Sequence, residues 1–409
     1  MTGAVSTELL QQKTIILRAP ATRAARNPFD GPGASPFEAA EAAAAVRVEV
    51  DDKLDRTKLR TLLNDPTVVS YAPAMPMKLI EPLDPAADFT PAATSATWGV
   101  EAVGAVTSPF TGAGVTVAVL DTGIDATHAA FSGVDLVQRD FTGSGSANDT
   151  NGHGTHCAGT IFGRDVDGVR IGVANGVTRA LIGKVLGGPS GGGSDVLCEA
   201  IMWAADNGAN VVSMSLGIDF PGWVEELVKT NGLSIPVATS IALEQYRANI
   251  RLFEQLSNLL AARAAVAQTV VVTAASGNES GRNENPPFSI NVAPPAASTG
   301  VLAVGALGEG PSGLRIAPFS NTRATVAAPG VNVVSAKVGG GTRALSGTSM
   351  ATPHVAGIAA LWAQKLSQQG PLTPVLLQAK LVGSATLTGL DPATDTLDVG
   401  AGLVQAPTE

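Results

Sequence analysis

The sequence is short of charge, aromatic side chains and basic tracts, and each shortage excludes a class of protein. Only 15% of the 409 residues are charged and 4% are aromatic, while 45% are hydrophobic. A chain with this much apolar content and so little charge is not disordered. The 26 Lys+Arg and 35 Asp+Glu give a net charge of −9. Acidity without a basic tract excludes a role in binding nucleic acid or a membrane surface.

Cysteines and long apolar runs are also scarce. Two cysteines are too few for a disulfide scaffold, and no run approaches the ~18 consecutive apolar residues of a membrane span. Residues 1–10 contain neither the basic nor the apolar region of a secretory signal. We therefore expect a cytoplasmic protein, or a secreted one if a signal has been removed.

Glycine and proline are abundant, and the length suggests two or three domains of roughly 100–200 residues, or one large domain with an appendage. Residues 1–80 are typical of a small α+β module. Strands are predicted over 14–17, 46–50 and 68–71, a helix capped by Asp55 over 56–63, a loop over 20–36 and a helix-compatible stretch over 37–45. Proline-rich sequence between Met75 and Ser95 predicts an exposed tether, with the linker proper over 81–95.

The pattern changes from Gly112 onward, where short apolar strands alternate with helices. Strands are predicted over 115–120, 180–186, 211–215, 269–274 and 301–304, and helices over 153–162, 194–207, 241–267 and 349–368. This alternation indicates an α/β fold with a parallel sheet covered by helices on both faces. In such sheets, ligand sites lie at the carboxyl ends of the strands.

Four polar residues lie in motifs suited to such a site. Asp121 follows the apolar run VTVAVL directly, and His153 is flanked by small residues in NGHGTHCAG. Ser349 precedes an apolar helix, where a serine is normally an N-cap, although the same place suits a nucleophile next to oxyanion-stabilising N–H groups. Asn278 follows a predicted strand, either as a turn residue or as an amide donor. Each residue alone has a structural explanation; the four together do not.

With the order Asp, His, Asn, Ser within these motifs, the sequence resembles the subtilisin-like serine peptidases, whose triad residues follow one another in the order Asp, His, Ser. The matching segments are VAVLDTGID (117–125), NGHGTHCAG (151–159), VVSMSLG (211–217), TAASGNES (273–280), LSGTSMATPHVAG (345–357) and GAGLVQA (400–406). The resemblance covers residues 96–406 and implies a three-layer catalytic domain over 96–409. It also implies that Ser349 is the nucleophile, His153 the general base, Asp121 its orienting acid and Asn278 an oxyanion donor.

The same resemblance implies how a peptide or protein substrate binds. Ser215, Leu216 and Gly217 and the loop 187–193, including Gly192, are expected to flank the substrate as strand-like edges. The residues Ala275, Ser276 and Gly277 are expected to wall the pocket for the residue before the scissile bond, and Glu279 to add a negative rim or to be a solvated loop acid. Cys157 is expected to be a free thiol beneath the site that makes it sensitive to mercurials. His156 and His354 are expected to pack rather than react.

The N-terminal module resembles the family's inhibitory propeptide more faintly. The resemblance implies that its last strand occupies the active-site cleft of a monomeric zymogen, and that self-cleavage follows between Met77 and Ala93. A permanent accessory domain is the alternative.

The sequence departs from the family pattern at two places. Ala129 and Ala130 replace a proline and a calcium-binding carboxylate, so that calcium site is in doubt although structural calcium remains open. No cofactor is expected for the chemistry. About fifty residues separate Gly217 from Thr269, which predicts a helical insertion around 218–267. This insertion either overhangs the cleft or elaborates the surface.

Two rival functions remain open beside an endopeptidase. A peptide macrocyclase or transpeptidase of the same fold would transfer the acyl group to an amine instead of water. A non-catalytic binding pseudoenzyme would lack an active nucleophile.

Overall fold

The protein is described here from a computed structural model that covers residues 12–20, 41–42, 45–85, 90, 94–187 and 192–409. Apart from Pro20, the predicted loop over 20–36 lies outside these residues, as does most of the helix-compatible stretch 37–45. Among the described residues, no helix is long and apolar enough to cross a membrane.

The N-terminal module is a three-stranded antiparallel sheet with one described helix. Strand β1 (Thr14–Arg18) lies between β2 (Arg47–Asp51) and β3 (Val68–Pro73). Helix α1 (Arg56–Leu63) has the predicted bounds, and the Asp55 carboxylate accepts a hydrogen bond from the Lys58 N–H, as its N-cap position requires.

The segment that follows the module is a strand and not an exposed tether. Strand β4 (Pro76–Leu79) pairs antiparallel with β8 (Gly192–Gly193) on one side and β10 (Leu216–Ile218) on the other. Met75, Met77 and Ile80 are buried. The expectation of an exposed tether is therefore wrong for residues 75–80. The prolines suggested an irregular backbone, but two strands that are distant in sequence supply its hydrogen-bond partners.

The part of the chain that follows is built on an eight-stranded sheet in the order β13-β12-β11-β9-β5-β7-β6, with β14 beside β12. Its strands are β5 (Thr116–Asp121), β6 (Asp135–Asp140), β7 (Arg179–Lys184), β9 (Val211–Met214), β11 (Val271–Ala275), β12 (Val301–Gly308), β13 (Arg315–Ile316) and β14 (Val326–Pro329). All neighbours are parallel except β12 and β13. The α/β architecture predicted from the alternating pattern is confirmed.

Helices cover both faces of this sheet. The described helices are α2 (Trp98–Ala102), α3 (His153–Phe162), α4 (Ser194–Asp206), α5 (Phe220–Lys229), α6 (Ile235–Arg263), α7 (Thr348–Gln369), α8 (Pro374–Gly383) and α9 (Thr396–Val399), and β15 (Val333–Ala336) and β16 (Thr342–Leu345) form a hairpin. Along β5, Val117 and Val119 join the core with α3 and α7, while Ala118 and Leu120 join the core with α4 and α6. Burial on both faces explains why the strand is apolar without alternation.

The insertion consists of α5 and α6, and α6 serves as a docking surface for the N-terminal module. The helix begins at Ile235, earlier than the predicted Ile241, with a proline in its first turn. Ile15 of the module shares a core with Leu252 of α6. The Asn249 amide donates to the Pro73 carbonyl at 2.8 Å. Helix α6 therefore contacts the N-terminal module through both apolar packing and a hydrogen bond.

Candidate active site

The end of one strand and the start of one helix bring a carboxylate and an imidazole together. Asp121 is the last residue of β5 and His153 is the first of α3, and both are buried. The His153 Nδ1 lies 2.8 Å from the Asp121 Oδ1. A Cβ atom on Gly154 would lie 2.2 Å from the Gly123 carbonyl oxygen. A glycine at position 154 is therefore required for the helix to approach the strand this closely.

A second buried carboxylate, Asp149, fixes this junction, and sequence reasoning missed it. Its Oδ1 accepts from the Gly152 N–H and the Thr122 hydroxyl, and its Oδ2 accepts from the N–H and hydroxyl of Thr155, all within 2.7–2.9 Å. Burial alone would raise the pKa of Asp149, but these hydrogen bonds leave it lowered. Its position four residues before His153 in a Gly-containing turn was the available signal.

Ser349 is the second residue of α7 and lies in the same cleft. Its Oγ donates to the Ile80 carbonyl oxygen at 3.0 Å. The His153 Nε2 is buried without a hydrogen-bond partner among the described residues. The hydroxyl is therefore engaged by the N-terminal segment, and the nitrogen that would accept its proton stands free.

Asn278 is held so that its amide points into the cleft. Its Oδ1 accepts from the Thr348 N–H and hydroxyl, each at 2.9 Å, which leaves the Nδ2 to donate. The Nδ2 donates to the Glu81 carbonyl oxygen at 2.9 Å. Asn278 thus presents a fixed donor beside the residue that contacts Ser349.

The charge of Asp121 sets the proton affinity of His153. Burial disfavours the imidazolium, but the Coulombic attraction and hydrogen bond of Asp121 outweigh burial and raise the pKa of His153 well above 6.5. Cys157 lies beneath this pair, with its Sγ 3.8 Å from the His153 Nδ1 and 3.4 Å from the Ser349 carbonyl oxygen. Burial raises the pKa of both cysteine thiols, and Cys157 and Cys198 are free, so no disulfide joins them.

The edges expected to bind substrate pair with β4. Leu216 lies opposite Leu79, Gly217 opposite Lys78, and Gly192 opposite Met77. The Ile80 N–H donates to the Ser215 carbonyl oxygen at 3.4 Å. Residues 188–191 of the expected glycine-rich edge lie outside the described residues. Antiparallel pairing on both sides is the strand-addition arrangement that a peptide substrate would use.

The expected pocket wall is held by a residue that sequence reasoning missed, Asn321. Ala275 ends β11, and the Gly277 N–H donates to the Thr348 hydroxyl at 3.2 Å. The fully buried Asn321 donates from its Nδ2 to the Ser276 carbonyl oxygen at 3.1 Å and to the Glu279 Oε2 at 2.8 Å. Glu279 turns its other oxygen toward Lys78, at 3.7 Å. No motif marked Asn321, because its role depends on a turn distant in sequence.

His156 and His354 are packing residues in the structure. The His156 Nε2 donates to the Val333 carbonyl oxygen at 3.0 Å, and the His354 Nδ1 donates to that of Met350 at 2.8 Å. The second ring nitrogen of each is buried without a partner among the described residues. Burial lowers the pKa of His156 to about 3 and that of His354 to about 4.

The residues at the doubtful calcium position do not fit that ion. Ala129 and Ala130 form part of a short 3₁₀ helix and offer no side-chain oxygen. The Arg164 guanidinium donates to the backbone carbonyls of Phe162, Asn175 and Val177. A side-chain cation therefore already binds backbone oxygens next to this loop. Among the described residues, the one cluster with metal-ligand chemistry is Asp121, His153 and Cys157.

The fold and this site define a serine peptidase of α/β architecture, and comparison with known proteins identifies its family. Residues 112–402 match the model of the subtilase family, and the chain belongs to that family. It is 35% identical to the M-protease of Shouchella clausii over 328 residues, 78% of this chain and 71% of that protein. It is 35% identical to Subtilisin Savinase of Lederbergia lenta over 322 residues, 77% of this chain and 98% of that protein. The chain is therefore a subtilisin-like serine protease.

Proposed function

We propose that this chain is a serine endopeptidase made as an autoprocessed precursor, with Asp121, His153 and Ser349 as its triad. The observation that carries the proposal is the 3.0 Å contact between the Ser349 Oγ and the Ile80 carbonyl oxygen. A backbone paired on both edges of the cleft with a carbonyl at the nucleophile has the geometry of a bound peptide substrate.

The chemistry follows from these positions. Ser349 attacks the carbonyl carbon while the His153 Nε2 takes its proton, and Asp121 stabilises the imidazolium. The Asn278 Nδ2 and the backbone N–H of Ser349 bind the oxyanion. The imidazolium then protonates the leaving amine, the acyl group remains on Ser349, and a water activated by His153 releases it.

The N-terminal module acts as an intramolecular inhibitor whose own chain crosses the cleft. In the structure Ser349 donates to the carbonyl of Ile80 and Asn278 to that of Glu81. Because the two donors engage neighbouring carbonyls, the segment is bound in an inhibitory and not a reacting arrangement. Reaction requires the carbonyl group of the cleaved bond to contact both the Ser349 hydroxyl and the Asn278 amide. The Ile80 N–H bond to Ser215 and the Ser349 contact with the Ile80 carbonyl support Ile80 as the residue before the scissile bond, so we propose Ile80–Glu81 as the processed bond.

Labelling and mass spectrometry test this function. The unaltered chain should react with a fluorophosphonate probe at Ser349 and should yield a product beginning Glu81-Pro82-Leu83. Ser349→Ala should abolish both results. A Ser349→Ala protein that is still cut after Ile80, or an unaltered chain that takes no label, would contradict the proposal. With peptide substrates, hydrolysis adds the mass of one water, whereas macrocyclisation does not.

A further inference from the structure

Lys78 occupies a defined place in the cleft, two residues before Ile80. The pairing of Lys78 with Gly217 and of Leu79 with Leu216 leads without a shift to the Ile80 contact with Ser215. On the proposed function, Lys78 is therefore the third residue before the bond that is cut. Alternate side chains of a strand share a face, so Lys78 and Ile80 point to the same side of β4.

Two carboxylates approach the Lys78 ammonium from different parts of the fold. The Asp219 Oδ1 lies 3.3 Å from the Nζ, and the Glu279 Oε1 lies 3.7 Å from it. Asp219 follows β10 at the start of the insertion, whereas Glu279 follows β11. Lys78, Asp219 and Glu279 remain 41%, 32% and 42% exposed at their side chains, so the site is open at the rim of the cleft.

Both carboxylates are held by the catalytic domain independently of Lys78. Asp219 is the N-cap of α5, and its side chain accepts from the Gly222 N–H at 3.3 Å. The Glu279 Oε2 accepts from the Asn321 Nδ2 at 2.8 Å. Asn321 is itself fully buried and bonded through its Oδ1 to the Ser280 N–H. The acids are therefore oriented before a basic side chain arrives, which reduces the ordering cost of binding it.

We propose that Asp219 and Glu279 form a subsite that selects a lysine or arginine at the third position before the scissile bond. The inference rests on the proposed peptidase function and adds a specificity to it. Since partly exposed ion pairs are each weak, the two pairs together predict a preference of about 2- to 30-fold in kcat/KM. The insertion thereby contributes a residue to substrate selection.

The test compares peptides that differ at one position. Three fluorogenic peptides carry Met-Xaa-Leu-Ile before the cut, with Xaa as lysine, norleucine or glutamate, and are cleaved by the full chain. The lysine peptide should exceed the norleucine peptide by about 2- to 30-fold in kcat/KM at low salt, with the glutamate peptide poorest. This ratio should fall as salt is added. Any N-terminal segment still bound lowers all three rates together and leaves the ratio unchanged.

Variants assign the preference to the two acids. Asp219→Asn keeps an N-cap residue and Glu279→Gln keeps an acceptor for Asn321. The double variant should bring the lysine-to-norleucine ratio to about 1. The control Glu284→Gln removes the same charge from an exposed site and should leave the ratio unchanged.

Two outcomes separate failure of the subsite from failure of the function. A ratio near 1 in the unaltered chain, or a ratio that survives in the double variant, overturns the subsite. Absence of cleavage of every peptide together with absence of fluorophosphonate labelling overturns the peptidase function on which it rests. Mass spectrometry of the products must place the variable residue third from the new carboxyl end.

Discussion

Mild acid should destabilise this protein through two buried histidines, His156 and His354. His156 and His354 are fully buried, and each has one ring nitrogen without a partner among the described residues. Protonating either ring in the folded state would place an uncompensated charge in the core. In the unfolded chain the same rings gain a proton freely as pH falls below 6.5. The unfolded state therefore binds more protons, and stability falls with pH.

The pKa values give the size of this loss. The folded pKa is about 3 for His156 and about 4 for His354, against 6.5 for the unfolded side chains. A pH of 4.5 lies about two units below the pKa of the unfolded rings, so those rings are protonated there. One pH unit corresponds to ~1.36 kcal/mol. Each histidine thus costs about 2 kcal/mol of unfolding free energy between pH 6.5 and pH 4.5, and the two together about 4 to 5 kcal/mol.

The other groups with shifted pKa values change the stability little in this pH window. The pKa of His153 is raised in the folded state, so its stabilisation is complete below 6.5 and does not change further on acidification. The carboxyls of Asp65 and Asp140 have pKa values of about 2, so their contributions decline below pH 3.8. The interval from pH 6.5 to pH 4.5 therefore isolates the two buried histidines.

Urea unfolding followed by tryptophan fluorescence measures the effect, in a Ser349→Ala background that prevents self-digestion. His156→Gln keeps a donor near the Nε2 and His354→Asn keeps one near the Nδ1, and neither replacement titrates. Each variant should lose about half of the pH-dependent change, and the double variant nearly all of it. Any packing cost of the substitutions is common to both pH values and cancels. A double variant as acid-sensitive as its parent would refute the reasoning.

Two further predictions concern the catalytic groups. Because Asp121 raises the pKa of His153 and the reaction needs the neutral ring, kcat/KM should rise with pH to a plateau above neutrality. Asp121→Asn should move the midpoint of that rise to lower pH. It should also reduce kcat by orders of magnitude, since the same Asp→Asn change in a serine-protease triad costs about 10⁴-fold. An unchanged pH profile would contradict the assignment. A small organomercurial should inactivate the enzyme, since Cys157 lies under His153. Cys157→Ser should be resistant and the control Cys198→Ser should remain sensitive, measured as residual peptidase activity.

The local signals in the sequence were sufficient for many individual elements. Helix α3 over His153–Phe162 and helix α1 over Arg56–Leu63 have the predicted bounds. Their ends are marked by residues adjacent in the chain, such as the Asp55 cap and the Gly152 turn. The apolar run ending in Asp121 likewise predicted a strand buried on both faces, because that pattern depends on the strand alone.

Contacts between distant segments could not be predicted in this way. Strand β4 has a local sequence typical of a linker, and its partners at Gly192–Gly193 and Leu216–Ile218 lie more than a hundred residues away. The positioning roles of Asp149 and Asn321 depend on hydrogen bonds whose donors come from several turns. Glu279 was expected as a negative rim of the pocket or as a solvated loop acid, and its contact with Lys78 depends on strand β4 crossing the cleft.

By itself, the sequence determined the chemical groups of this protein: a carboxylate after a buried strand, an imidazole and a hydroxyl at helix starts, and an amide in a turn. Each of those placements follows from local backbone preference and periodicity. Only the tertiary structure decided that the chain's own segment fills the cleft and that Asp219 and Glu279 share Lys78. Such contacts arise when the sheet, the insertion and the module pack together, and no local pattern encodes the distance between them.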